Sequence, residues 1–328
     1  MSRRILKVAA AQVGAIDRQT PKQDVVTRLI RLLHAAAEQR VQLVVFPECT
    51  LTTFFPRHLF TSQEELDTFF EHGDVTASPD VEPLFHEARA HGIDITLGYA
   101  ERTPAGTGYN TSVYYSAREA RVLSKYRKVH LPGTEEPFED PQAPSASRPP
   151  PRRRQAATAT DGERTTGRGD PIMGLMICND RRWPEAWRQY GLQGAELLMC
   201  GYNTGGNMAH LWGSKPMSPE EAQREALFHS RLVQQANSYM NACFSISSAR
   251  CGLDDGRYDL IGGSAIVSPE GHVVAEAKTT EDELVVAEID LAECRQGKEK
   301  TFDFDRHRRI EAYGLINTQT GVVEPPLL

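Results

Sequence analysis

The sequence predicts an α/β protein organised around one large core. Short, fully apolar runs end at polar, Gly or Pro residues, and helix-period segments lie between several of them. With 328 residues and 40% hydrophobic content, the chain can bury a single sizeable core, and no break in composition forces two domains.

Taken in order, the apolar runs are residues 6–13, 41–46, 93–100, 111–115, 172–178, 196–200, 243–247, 262–267 and 284–289, each read as a strand. Helical periodicity fills 23–40, 82–91, 185–191 and 220–240. Strands without a polar face imply sheets covered on both sides. Antiparallel-looking stretches are mixed with the α/β alternation, and no fixed-period repeat is present.

Several function classes are disfavoured from the totals. A net charge of -7 argues against nucleic acid as a partner, because phosphate binding needs a basic surface. The N-terminus, Met1-Ser2-Arg3-Arg4 and then residues 5–11, turns polar at Gln12, too soon for a signal peptide or a membrane span. A cytoplasmic protein is expected. The six cysteines, Cys49, Cys178, Cys200, Cys243, Cys251 and Cys294, lack paired CxxC or CxxH spacing, so neither a disulfide framework nor a zinc site is indicated. Cys200 and Cys243 sit in apolar runs and read as core.

Residues 141–168 stand apart. They hold no aromatic and no large aliphatic residue, and include Pro149-Pro150-Pro151 and Arg152-Arg153-Arg154. Such a segment cannot bury enough surface to offset its ordering entropy, which predicts a solvated excursion.

The chemistry gathers at strand ends. The run 172–177 delivers Cys178 to a turn, Asn179-Asp180-Arg181-Arg182-Trp183, before Pro184 opens a helix. A thiol beside a helix N-terminus and two guanidinium groups is suited to act as a thiolate nucleophile. Glu48 closes the run Leu43-Val44-Val45-Phe46-Pro47, where a carboxylate can take a proton from a thiol and return it. Lys128 lies in Lys125-Tyr126-Arg127-Lys128-Val129-His130-Leu131-Pro132-Gly133, a basic turn whose ammonium can stabilise an oxyanion. Taken singly, Glu48 has a plainer explanation as a solvated loop residue and Lys128 as part of a solvated basic face.

Together, FPE, KYRKVHLPG and CNDRRWPE resemble the nitrilase superfamily of carbon-nitrogen hydrolases. The resemblance implies a four-layer αββα sandwich, assembly into a homodimer or homotetramer, and a Glu-Lys-Cys triad that requires no cofactor. It falls on Glu48 as general base, Lys128 as oxyanion stabiliser and Cys178 as nucleophile. Thr52-Thr53-Phe54-Phe55-Pro56-Arg57, His130-Leu131-Pro132-Gly133, the CNDRRWPE block, Gly201-Tyr202-Asn203-Thr204 and Tyr313-Gly314-Leu315-Ile316 are similar to the N-carbamoyl-D-amino acid amidohydrolases, the D-carbamoylases. That likeness implies hydrolysis of an N-carbamoyl-D-amino acid to D-amino acid, ammonia and carbon dioxide. It further implies substrate contacts from Arg181, Arg182 and Asn203, with Asn179 supplying a backbone N–H to the oxyanion. A substrate carboxylate suits a planar guanidinium, with Arg181 favoured and Arg182 divided between substrate and an interface ion pair. His130 is read as a supporting residue.

The chain departs from the family between the lysine and the cysteine, where residues 141–168 replace an aromatic-rich segment carrying a second glutamate. None of Glu135, Glu136, Glu139, Asp140, Asp161 or Glu163 has the surroundings of that residue. A GC-rich stretch read in the wrong frame is favoured as the source, with a lineage-specific insertion as the alternative. Catalytic impairment, or a related amidase, beta-ureidopropionase or nitrilase activity, therefore competes with the D-carbamoylase reading. The domain is placed at 1–316, and the tail 317–328 is expected either to cross a subunit interface or to fray.

Overall fold

The computed structural model describes residues 2–132, 171–206 and 215–325. The tract 141–168 and the acidic residues just before it lie outside the described residues.

The strands are β1 (Ile5–Gln12), β2 (Leu43–Val45), β3 (Phe70–His72), β4 (Asp94–Arg102), β5 (Gly108–Ser116), β6 (Arg121–Arg127), β7 (Met173–Ile177), β8 (Leu197–Tyr202), β9 (Phe244–Ala249), β10 (Cys251–Asp254), β11 (Tyr258–Ile261), β12 (Ala265–Val267), β13 (Val273–Glu276) and β14 (Glu283–Asp290). The principal helices are α1 (Lys22–Glu38), α2 (Gln63–Asp67), α3 (Glu82–His91), α4 (Pro184–Leu192) and α5 (Pro219–Asn241). One sheet runs β14-β1-β2-β4-β5-β6 with β3 beside β4, and a second runs β13-β12-β9-β8-β7. The strands β1, β2 and β4 are parallel, as are β3 with β4 and β7, β8 and β9 with one another, whereas the remaining pairings in these sheets are antiparallel.

Side-chain alternation assembles these sheets into four layers. Along β1, Val8 and Ala10 face the second sheet, while Ala9 and Ala11 join α1 and α3 in the outer core. Strand β7 repeats the pattern: Leu175 and Ile177 enter the inter-sheet core, and Met176 packs with Trp187 and Tyr190 of α4. Both sheets are thus buried on two faces, which explains why their central strands read as unbroken apolar runs. The result is the αββα sandwich.

Some boundaries differ from expectation. The strand anticipated over 262–267 begins only at Ala265, because Gly262 and Gly263 adopt φ of 62° and 77°, left-handed backbone that interrupts a strand. Strands β3, β10, β11 and β13 were not anticipated, being three or four residues long and mixed in polarity. Helix α5 follows a capping box in which Ser218 and Glu221 satisfy each other's backbone N–H groups. Near the C-terminus a short helix, Gly314–Thr318, runs across the boundary drawn at residue 316, and residues 314–325 are exposed.

All six cysteines are buried and free, and Cys200 and Cys243 join Trp187 and Tyr190 in the core beneath α4. Among the described residues no helix is long and apolar enough to cross a membrane.

Candidate active site

Glu48 arrives on a tight turn just beyond β2. The carbonyl of Pro47 accepts from the Thr50 hydroxyl, and the Thr50 N–H donates to Gly98 O at 2.8 Å. This turn is clamped between the sheets at positions that tolerate no side chain. A Cβ on Gly98 of β4 would lie 2.4 Å from Pro47 O, and one on Gly201 of β8 would lie 2.6 Å from Glu48 N. Both contacts are with backbone, so no rotamer change relieves them. Two glycines, one from each sheet, therefore seat the carboxylate.

The Glu48 carboxylate is buried, and the groups around it are donors. Lys128 Nζ lies 2.5 Å from Oε1, and Asn110 Nδ2 lies 2.6 Å from the same oxygen. Oε2 accepts from the Asn203 backbone N–H at 3.1 Å and from Asn203 Nδ2 at 3.3 Å. The Lys128 side chain is only 2% exposed. Burial alone would lower its pKa, but the Glu48 carboxylate and then Cys178 outweigh this and hold it above the ordinary lysine value. Asn110, on β5, also accepts the Lys128 N–H on its backbone oxygen at 2.9 Å, so one residue fixes both the lysine's main chain and the carboxylate.

Cys178 ends β7 with φ of 47° and starts a 3-10 turn, Cys178–Arg182, immediately before α4. The left-handed backbone turns the side chain sharply off the strand at the point where helical N–H groups are unpaired. Its Sγ lies 3.2 Å from the carbonyl oxygen of Asn203. Asn203 therefore spans the site, donating to Glu48 and accepting from the thiol. Asn203 had been expected as a substrate contact; the described structure gives it this linking position, with Oδ1 buried and unpartnered among the described residues.

The two arginines separate. Arg181, the favoured carboxylate donor, is instead fully buried. Its Nη1 donates to Cys178 O at 2.7 Å and lies 3.9 Å from Sγ; Nη2 donates to Thr204 Oγ1 at 2.9 Å and Ser230 Oγ at 3.3 Å. The guanidinium lies 4.1 Å from the Tyr202 ring centroid, and Trp187 Nε1 donates to Arg181 O at 2.8 Å. Among the described residues no carboxylate is within ion-pair distance of it. Arg182, by contrast, is exposed.

Asp180 is the residue that sequence reasoning missed. It is fully buried and gathers four donors: Tyr126 OH at 2.9 Å, Ile177 N–H at 3.2 Å, and the His130 N–H and Nδ1, each at 2.8 Å. The His130 ring stacks on Trp183 at 5.0 Å and 12°, and Asn179 Nδ2 donates to His130 O at 3.2 Å. The turn carrying Cys178 is thereby fastened to the chain beyond Lys128. Asp180's place inside the CNDRRWPE block was its only sequence signal.

Comparisons with known proteins agree with this architecture. Residues 7–299 match the family model for carbon-nitrogen hydrolases. A nitrilase from Pyrococcus abyssi is 29% identical over 86% of this chain and 90% of its own length. The N-carbamoylputrescine amidase of Solanum tuberosum is 24% identical over 97% of each chain. The human omega-amidase NIT2 is 25% identical over 90% of this chain and 92% of its own. Among solved structures, a carbon-nitrogen hydrolase from Helicobacter pylori G27 superposes with a TM-score of 0.72 at 20% identity, covering 96% of this chain and 99% of that one. An amidase from Nesterenkonia sp. AN1, solved as a double mutant with acrylamide, gives 0.63 at 20% identity over 94% and 96%. With the family model spanning most of the chain and the fold shared, the protein belongs to the carbon-nitrogen hydrolase family, enzymes that act on amide bonds.

Proposed function

We propose that this enzyme hydrolyses the carbamoyl group of N-carbamoyl-D-amino acids. The observation that carries the reading is the convergence of a thiol and a buried Lys128–Glu48 pair on one residue, Asn203. Glu48 takes the thiol proton, and Cys178 sulfur attacks the carbamoyl carbon. The oxyanion is met by Lys128 and by the Asn179 backbone N–H. Collapse breaks one C–N bond, the departing amine collects the proton from Glu48, and a thiocarbamate remains on sulfur. Water, deprotonated by the same carboxylate, releases it, giving amino acid, ammonia and carbon dioxide in sum.

Substrate recognition follows from what is left exposed or unpartnered. The exposed Arg182 supplies a guanidinium for the substrate carboxylate, while Arg181 serves the nucleophile from behind. Asn203 Oδ1 is a spare acceptor for a carbamoyl N–H, and His130 with Trp183 forms a wall beside them. The D preference rests on the resemblance of the CNDRRWPE block. A homodimer or homotetramer completes the reading, supported by the exposed Phe228, Leu232 and Tyr239 on α5; sedimentation at micromolar concentration returning only monomer would remove it.

One observation favours a second reading, an amidase of uncharged or distal amides. Arg181 is withdrawn from substrate, and relatives include proteins named omega-amidase and N-carbamoylputrescine amidase. Ammonia release from N-carbamoyl-D- and L-amino acids, N-carbamoylputrescine and simple amides separates the two. A D-carbamoylase prefers the D-carbamoyl acid and loses that preference in Arg182→Ala through a raised KM. Preference for the substrates without a carboxylate, unaffected by Arg182→Ala, overturns it.

A further inference from the structure

The outer helical layer carries a group of imidazoles around one carboxylate, far in the fold from the cysteine. His34 of α1 directs Nε2 to Glu87 Oε2 at 2.8 Å, and His91 of α3 directs Nε2 to the same oxygen at 3.5 Å. The three ligand atoms lie within 4.8 Å of one another. His86 adds Nδ1 at 3.5 Å from the other carboxylate oxygen. Glu87 and His91 are one helical turn apart and so share a face of α3.

This spacing matches a coordination sphere. Two ligand atoms each about 2.0–2.1 Å from a tetrahedral zinc ion stand roughly 3.4 Å apart. The separations here bracket that value, so closing the site takes only small side-chain shifts. The helices beneath are already fixed, because Leu29, Leu33 and Ala36 of α1 share a buried cluster with Leu84, Phe85 and Ala88 of α3. Ligand side chains remain 30–47% exposed, which leaves room for an ion to enter and for water to complete its shell. Two imidazoles with one carboxylate suit zinc, nickel or copper rather than magnesium or calcium, which take oxygen.

We propose that His34, Glu87 and His91 form a binding site for a divalent transition-metal ion of the zinc type, which staples α1 to α3. The staple lies on the face of the larger sheet turned away from the second sheet, whereas Cys178 closes a strand of that second sheet. Its effect is therefore on stability and on the docking of two helices.

The test titrates zinc chloride into the full-length, tag-free chain carrying Cys178→Ala, which removes the catalytic thiol as a competing ligand. The same titration is made with His34→Gln and His91→Gln added together, and separately with Glu87→Gln. The site predicts one zinc equivalent in the parent and affinity weakened at least about tenfold in both variants. At zinc 100 times its dissociation constant, the folded-to-unfolded ratio of the parent rises about 100-fold, seen as a melting increase of several degrees. Zinc also slows amide exchange in the last turns of α1 and α3. Magnesium chloride produces none of these effects. Equal zinc stoichiometry and affinity in parent and variants, or no zinc-dependent change in melting, overturns the proposal.

Discussion

Replacing Asp180 with alanine is the sharpest probe of how the turn carrying Cys178 is held. The substitution removes the acceptor of four donors, two of which, Tyr126 OH and Ile177 N–H, belong to residues 5% and 1% exposed. Water cannot readily replace the carboxylate for those two. Each buried donor left unpaired costs about 1–3 kcal/mol, so the pair alone predicts a loss of roughly 2–6 kcal/mol. The His130 donors belong to a side chain 24% exposed and are partly rescued by solvent. A loss of that size is a large fraction of the ~5–15 kcal/mol that holds a domain folded. Urea unfolding at fixed slope measures it, and a double-mutant cycle with Tyr126→Phe isolates the Tyr126 contribution. Asp180→Asn retains an acceptor for His130 but places an amide N–H against Ile177 N–H, so it falls between wild type and alanine. A loss under about 1 kcal/mol for Asp180→Ala, with Cys178 alkylation unchanged, would refute the reasoning.

Three further outcomes follow from the same geometry. Gly201→Ala drives a methyl into the Pro47–Glu48 backbone and should cost about 1–3 kcal/mol in urea unfolding, with kcat reduced more than KM because the carboxylate is displaced. Lys128 has a folded pKa above its ordinary 10.5, so its contribution is fully present below that pH and is lost as pH rises through the folded value. The stability difference between wild type and Lys128→Met, about 3–5 kcal/mol, should accordingly hold from neutral pH to the lysine range and shrink only above it. Glu101 is buried, which would raise its pKa, yet hydrogen bonds from Arg127, Lys125 and Thr111 bring it to about 2. Its contribution is present above the ordinary 4.5 and lost as pH falls toward 2, and because both cations are more than a third exposed, Glu101→Gln should cost only ~1–2 kcal/mol at neutral pH.

The sequence carried the architecture where physics is local. Unbroken apolar runs marked the central strands, Pro184 opened α4, and Glu48, Lys128 and Cys178 were all found at strand ends, where the structure brings them together. Tertiary requirements were not legible. Gly98 and Gly201 look like ordinary strand glycines until the opposing backbone is in place. Asn110 reads as a polar residue on a strand, yet it orders both Glu48 and Lys128. Arg181 reads from the sequence as the guanidinium for a substrate carboxylate, whereas it is sealed among Tyr202, Thr204 and Ser230. Asp180 was visible only as a letter in a motif, because three of its four donors come from Tyr126 and His130, far back along the chain.

In the proposed reaction Cys178 attacks a carbamoyl carbon with Glu48 and Lys128 in support. Acid quenching during turnover of an N-carbamoyl-D-amino acid, followed by peptide mass analysis, tests it directly. A thiocarbamate on Cys178 is expected in the quenched wild-type enzyme, with no adduct on any cysteine in Cys178→Ala, which is inactive. Steady hydrolysis by Cys178→Ala, or an adduct confined to another residue, would contradict it.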